Sequence, residues 1–202
     1  VSARRWNAAT PGIGPLRQLP AAMQAQGVAS GAYLAAQGAV TDVLPLFEAI
    51  GQRVFVVSDR PEAANLVKLS GNFLIGSVIE SLGEAMALVG KAGVDKQSYL
   101  EILTSTLFDA PVYKTYGGLL ARDEFEPAGF AAHLGLKDVR LVLAAGEQLE
   151  VPLPIASLLR DRFLTLLAGG GADLDWAAVG ALAAWEAGGP RPSPQKGGGS
   201  SP

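Results

Sequence analysis

The sequence predicts a mainly α protein: a helical bundle built on one long helix and preceded by a small α/β segment. Three observations carry that reading. Apolar residues from Leu66 to Val89 recur at helical spacing for longer than a strand runs; further helical stretches follow with short loops between them; and one short β-branched apolar run, Arg53 to Val57, comes before. Of the 202 residues 49% are apolar and 17% charged, enough for one or two cores, so the chain is not of the disordered class.

Residues 1 to about 30 mix Pro11, Gly12, Gly14, Pro15, Pro20 and Gly27 with small polar side chains and carry no sustained period, which predicts irregular structure. Gly31 to Gln37 reads as a short strand, and Asp42 to Ile50 as a helix capped by Thr41 and stopped by Gly51. Arg53 to Val57 follows as a buried strand, and strand, helix and strand together make a piece of an α/β layer. At Asp59-Arg60-Pro61-Glu62 a cap, an early proline and an acidic first turn open the long helix. It runs through Leu69, Phe73, Ile79, Leu82 and Met86 to a glycine stop at Gly93. Roughly 30 residues at 1.5 Å each span about 45 Å. Gly71, Gly76 and Gly83 each weaken such a helix by up to about 1 kcal/mol relative to alanine, so they are expected to mark close packing or a bend. Helical stretches at Lys96 to Leu107, Ala110 to Leu120, Leu134 to Leu149, Ile155 to Leu167 and Trp176 to Trp185 complete the bundle. From Gly188 onward glycine, proline and serine leave little to bury, and a disordered tail is expected. The predicted division is therefore 1–58, 59–187 and 188–202.

Composition excludes several chemistries. A formal charge of −3 gives no field that draws the chain to nucleic acid or an anionic membrane. Absence of cysteine removes disulfides and thiolate chemistry, and a single histidine, His133, removes most histidine-based metal sites, so no metal is expected. The apolar stretch from Leu66 to Val89 is interrupted by Lys68, Asn72, Glu80 and Glu84, so a membrane span is not expected, and Arg4-Arg5 has no apolar run behind it to make a signal. A cytoplasmic location is the expectation.

Lys68 and Asn72 are the most informative pair, because a spacing of four puts both on one helical face. A lysine in a mostly apolar helix loses solvation, which lowers its pKa toward the range useful for proton transfer, and an asparagine one turn on can hold a substrate oxygen or the lysine itself. On the residues alone the pair reads first as a helix-surface lysine and a capping or packing asparagine. Lys137-Asp138, near the start of a later helix, reads likewise as a solvated charge pair. Glu80 and Glu84 lack the Glu-x-x-His partner of a di-metal site and are expected to be exposed or capped glutamates. Asp123 to Glu126 reads as a charged loop, His133 as capping or packing, and Trp176 and Trp185 as packing at the end of the bundle.

The stretch Asn65-Leu-Val-Lys-Leu-Ser-Gly-Asn-Phe-Leu-Ile-Gly76, continuing as Glu80-Ser-Leu-Gly-Glu-Ala-Met-Ala-Leu-Val-Gly-Lys-Ala-Gly-Val94, resembles the β-hydroxyacid dehydrogenases, the group that includes 3-hydroxyisobutyrate dehydrogenase. A second stretch, Phe130-Ala-Ala-His-Leu-Gly-Leu-Lys-Asp138, is similar to the family's Lys-Asp at a helix opening. The resemblance covers about Ala39 to Val179. It implies that the long helix links two domains, that residues 59–187 form a helical domain of the 6-phosphogluconate dehydrogenase C-terminal type, and that residues 1–58 are a remnant of a Rossmann-like sheet. It further implies an NAD(P)-dependent oxidoreductase acting on a small hydroxyacid or semialdehyde. Lys68 would be general acid or base, Asn72 would position it and the substrate, and Lys137 would contact the NADP or NAD cofactor. A homodimer through the helical domain is implied as well.

The beginning of the chain departs from the family pattern. Gly12-Ile-Gly14 has Pro15 behind it, no preceding strand and no acidic residue about 20 positions on, so it is rejected as a dinucleotide fingerprint. The family's Ser-Gly-Gly substrate loop has no clear counterpart, Ser30-Gly31 being too short a match. The expectation is a truncated or rearranged family member. Two alternatives stand beside the enzyme: a non-catalytic helical dimerisation module, and an imine-reductase-like activity, against which Lys68 tilts the assignment.

Overall fold

The computed structural model describes residues 32–35, 53–58 and 61–191. The expected helix at Asp42 to Ile50, the irregular first 30 residues, the Gly12-Ile-Gly14 pair and the tail beyond residue 191 lie outside them. The chain divides into two units, Val1–Lys68 and Leu69–Pro202.

In the first unit, β1 (Ala32–Ala35) and β2 (Arg53–Val56) pair in parallel, with Ala32 opposite Arg53 and Ala35 opposite Val56. Parallel neighbours require a crossover connection, the arrangement of an α/β layer. The strand was expected to be buried, yet Phe55, Val56 and Val57 are exposed. Burial of a parallel strand needs layers on both faces, and among the described residues this sheet has two strands. Arg53 places its guanidinium 4.8 Å from the Phe55 ring centre, covering part of that face.

The long apolar run is one unbroken helix, α1 (Pro61–Lys91), with Glu62 in the first turn and Lys91 in the last, each favourable to the helix dipole. It stops as read from the sequence. Gly93 takes φ +84°, and the amides of Gly93 and Val94 close onto the carbonyls of Gly90 and Val89 at 3.0 Å each. This is the Schellman closure, whose left-handed residue costs glycine little. By length and composition α1 is also able to cross a membrane, contrary to the expectation from its interruptions. In this fold its stripe Ile79, Leu82 and Met86 lies in the core of a helical unit instead.

That unit adds α2 (Lys96–Thr104), α3 (Pro111–Arg122), α4 (Ala132–Gln148), α5 (Pro154–Ala168) and α6 (Ala178–Glu186). The sequence boundaries hold to within about three residues. The largest difference is at α2, expected to reach Leu107. It ends at Thr104, where Ser105 and Thr106 turn their hydroxyls back onto the carbonyls of Glu101 and Ile102 and compete with further helix. At the other end of α2, Asp95 accepts the Ser98 amide at 2.8 Å, and that bond holds its carboxyl below the usual range. Helices α2 and α3 pack as a pair, α4 packs on α5, and α6 on α5 and α3. Phe163, Ile79, Met86, Leu159 and Val179 are fully enclosed at the centre. Trp176 stacks edge-on against Tyr116 and Phe130, and Trp185 against Phe125, so both tryptophans pack as expected.

Of the glycines in α1, Gly83 marks the closest approach. A methyl built there would stand 2.0 Å from the carbonyl oxygen of Gly180 on α6. Gly76 is in ordinary contact with Leu159, while Gly71 has nothing within 4 Å and so does not mark close packing.

Candidate functional site

Leu69 and Phe73, one turn apart on α1, pack with Val142 and Leu143 of α4 and Ala156 of α5. Asn72 falls between them on the same face, three residues after Leu69, and is carried against α4. There its Nδ2 donates to Oδ2 of Asp138 at 2.7 Å. A carboxylate only accepts, so the amide group and not the carbonyl of Asn72 must face it, and that fixes the flip of the side chain. Lys137 places Nζ 3.1 Å from the other oxygen, Oδ1. Asp138 is buried, with its side chain 3% exposed, while the Lys137 side chain is 58% exposed. One buried carboxylate thus hydrogen-bonds an amide on one side and forms an ion pair with a solvent-facing ammonium on the other.

Asp138 is the residue that sequence reasoning passed over, having joined it to Lys137 as a solvated pair. Its signal was position: four residues before Val142 and three after Gly135, it lies on the apolar stripe of α4, where a carboxylate needs a partner. Of the residues singled out from the sequence, Asn72 and Lys137 meet at Asp138. Lys68 stands one turn before Asn72 on α1 and is exposed, not in the partly dehydrated setting expected for it.

The start of α4 is held by a second buried carboxylate. Asp175 accepts the Gly129 and Phe130 amides through Oδ2, at 2.9 and 3.1 Å, and the Ala177 amide through Oδ1 at 2.9 Å. The first amides of α4, Ala132 and His133, donate to the carbonyls of Leu174 and Ala172, so neighbouring backbone caps a helix that has no side-chain cap. His133 is exposed, its Nδ1–H directed at the Ala172 carbonyl oxygen at 3.0 Å, which caps that backbone group. The loop after α3 is charged and exposed, with Asp123 taking Lys96 at 2.7 Å and Glu124 taking Arg122 at 2.7 Å. No cluster of three acidic or histidine side chains able to hold a metal occurs among the described residues.

Glu80 corrects an expectation. It is buried rather than exposed, and it pairs with Arg162 of α5 at 2.6 Å. Glu84, one turn on, is exposed.

Comparison with known proteins places these residues in context. Residues 63–183 match the family model described as the NAD-binding part of NADP-dependent 3-hydroxyisobutyrate dehydrogenase. An uncharacterized oxidoreductase of Bacillus subtilis, YfjR, is 42% identical over 135 residues, covering 67% of this chain and 47% of that protein. Glyoxylate/succinic semialdehyde reductase 1 of Arabidopsis thaliana is 30% identical over 136 residues, covering 67% and 46%. The chain therefore spans about half the length of the curated relatives it matches. Among solved structures, a 3-hydroxyisobutyrate dehydrogenase of Salmonella typhimurium superposes with a TM-score of 0.68 at 26% identity, over 74% of this chain and 52% of that one.

Proposed function

This chain belongs to the 3-hydroxyisobutyrate dehydrogenase family, and from that premise we propose that it forms the helical part of an NAD(P)-dependent oxidoreductase acting on a small hydroxyacid or semialdehyde. The observation that carries the reading is the convergence of Asn72 and Lys137 on one buried carboxylate, Asp138. Such an arrangement orients the Asn72 carboxamide by one of its two N–H groups and keeps a cation beside it.

Lys68 is the general acid or base at Nζ, giving a proton to the substrate oxygen in reduction and taking it in oxidation. Asn72 spends one N–H on Asp138 and keeps its second N–H and its carbonyl oxygen for the substrate or the lysine. Lys137, paired with Asp138 and facing solvent, serves the cofactor. These residues fit the nicotinamide end of NAD or NADP, offering a cation and an oriented carboxamide. They form no cradle for pyrophosphate. When bound, the nicotinamide supplies or accepts the hydride, and the chain contributes orientation and proton handling.

Two measurements on the full chain test this. Titration with NADPH and with NADH, followed by nicotinamide fluorescence, is expected to saturate; no binding up to about millimolar concentration, a free energy of roughly −4 kcal/mol, would sink the reading. Lys68→Ala is expected to abolish turnover of a small hydroxyacid while the far-UV dichroism is unchanged.

A second reading rests on other residues. Leu74 and Leu88 of α1 are 61% and 74% exposed, opposite a face that carries Ile79, Leu82 and Met86 into the core, which supports pairing of the helical unit with another copy. Light scattering is expected to give about twice the 20.8 kDa of the chain. Dimerisation without cofactor binding would favour a non-catalytic pairing module. A cytoplasmic location belongs to the same proposal.

A further inference from the structure

Three helices of the second unit meet at one guanidinium. Arg162 on α5 donates from Nε to Oε1 of Glu80 on α1 at 2.6 Å, and from Nη1 to both oxygens of Glu186 on α6, at 3.0 and 2.8 Å. Its side chain is 19% exposed, that of Glu80 5% and that of Glu186 46%. The second oxygen of Glu80, Oε2, is buried and has no hydrogen-bond partner among the described residues. Glu84 adds a further negative charge one turn along α1 that acts on Glu80, while Arg162 is shared between Glu80 and Glu186.

This arrangement suits a neutral Glu80 better than a charged one. Ionised, Glu80 keeps half its charge on an oxygen that is enclosed and unbonded, and it divides the Arg162 cation with Glu186. Protonated, it leaves that cation to Glu186, and the tie between α5 and α6 strengthens. We propose that Glu80, Arg162 and Glu186 form a proton-sensitive latch in which a proton on Glu80 tightens the hold of α5 on α6.

The electrostatics agree in sign. Burial pushes the Glu80 carboxyl up from 4.5 to about 7, against the downward pull of Arg162 and with help from the charges of Glu84 and Glu186. A carboxyl raised on folding makes the folded chain the better proton binder. Its contribution is therefore complete below about pH 4.5, falls as the pH rises toward 7, and is level above that.

Thermal melts of the full chain from pH 5 to pH 8 test the latch. The folding constant is expected to lose on the order of 100-fold through Glu80 across that range. Glu80→Gln mimics the protonated carboxyl: it should come within a few-fold of the wild type at pH 5, exceed it far more at pH 8, and remove that part of the slope. A variant with the wild-type slope, or one less stable than the wild type at pH 8, would overturn the proposal. Should Glu80→Gln fail to fold, carbon-13 titration of the wild-type glutamates decides the matter: a Glu80 midpoint close to 7 supports the latch, and one at the ordinary glutamate value overturns it. Glu186→Gln should lower that midpoint, because Arg162 then serves Glu80 alone; an unmoved midpoint would count against the shared cation.

Discussion

Alanine at position 83 is the sharpest test of how the helical unit is held together. The added carbon would meet Gly180 at 2.0 Å from its carbonyl oxygen, 2.4 Å from its carbonyl carbon and 2.5 Å from its Cα. All three are backbone atoms of α6, and no rotamer change relieves them. Restoring ordinary contact near 3.5 Å requires the two backbones to part by about 1.5 Å. That opening loosens the layer made by Ile79, Leu82, Met86, Val179 and Leu182, all buried. Overpacking of this kind costs about 3 kcal/mol, and replacing a mid-helix glycine returns at most about 1 kcal/mol of propensity. A net loss of about 2 kcal/mol or more follows, a fall of roughly 5–10 °C in melting temperature for a unit of this size. Gly180→Ala should behave alike, since its carbon would meet the Ile79 carbonyl oxygen at 2.4 Å. Gly90→Ala is the control: nothing lies within 4 Å of it, and it should gain up to about 1 kcal/mol. Denaturant unfolding followed by far-UV dichroism measures all three. If Gly83→Ala and Gly90→Ala proved equally stable, the crossing described here would be refuted.

Two further outcomes follow from the buried carboxylates. Asp138→Ala strands the Asn72 amide and leaves the Lys137 ammonium to water, so it should cost about 1 kcal/mol in denaturant unfolding and also weaken nicotinamide-cofactor binding in the fluorescence titration. Lost stability with unchanged affinity would reduce Asp138 to a packing role. Asp175→Ala removes the acceptor of three backbone amides and should cost about 3 kcal/mol. Amide exchange read by NMR should quicken at Gly129, Phe130 and Ala177, and unchanged protection there would contradict the assigned bonds.

Local chemistry made much of this molecule legible in advance. The stop at Gly93 was readable because a left-handed backbone strongly favours glycine, and the start at Pro61 because proline suits a first helical turn. The end of α2 was harder, since apolar spacing continued through Leu103 and Leu107 and said nothing of hydroxyls bonding back to the helix. Tertiary pairing was beyond reach. Glu80 read as exposed because its partner lies 82 residues away, and Asp138 read as solvated because Asn72 lies 66 residues away. The exposure of β2 was equally hidden, since composition marks a strand as apolar without saying what covers it.

Because α1 is continuous from Asn72 to Gly83, the contact with Gly180 acts on the site as a fulcrum acts on a rod. Eleven residues separate fulcrum and tip, an arm of roughly 16 Å, so a tilt of about 5° at the crossing swings Asn72 by roughly 1.4 Å. That displacement is comparable to the whole range between a good hydrogen bond and none. The reach of the carboxamide toward Asp138 thus depends on two residues that possess no side chain at all.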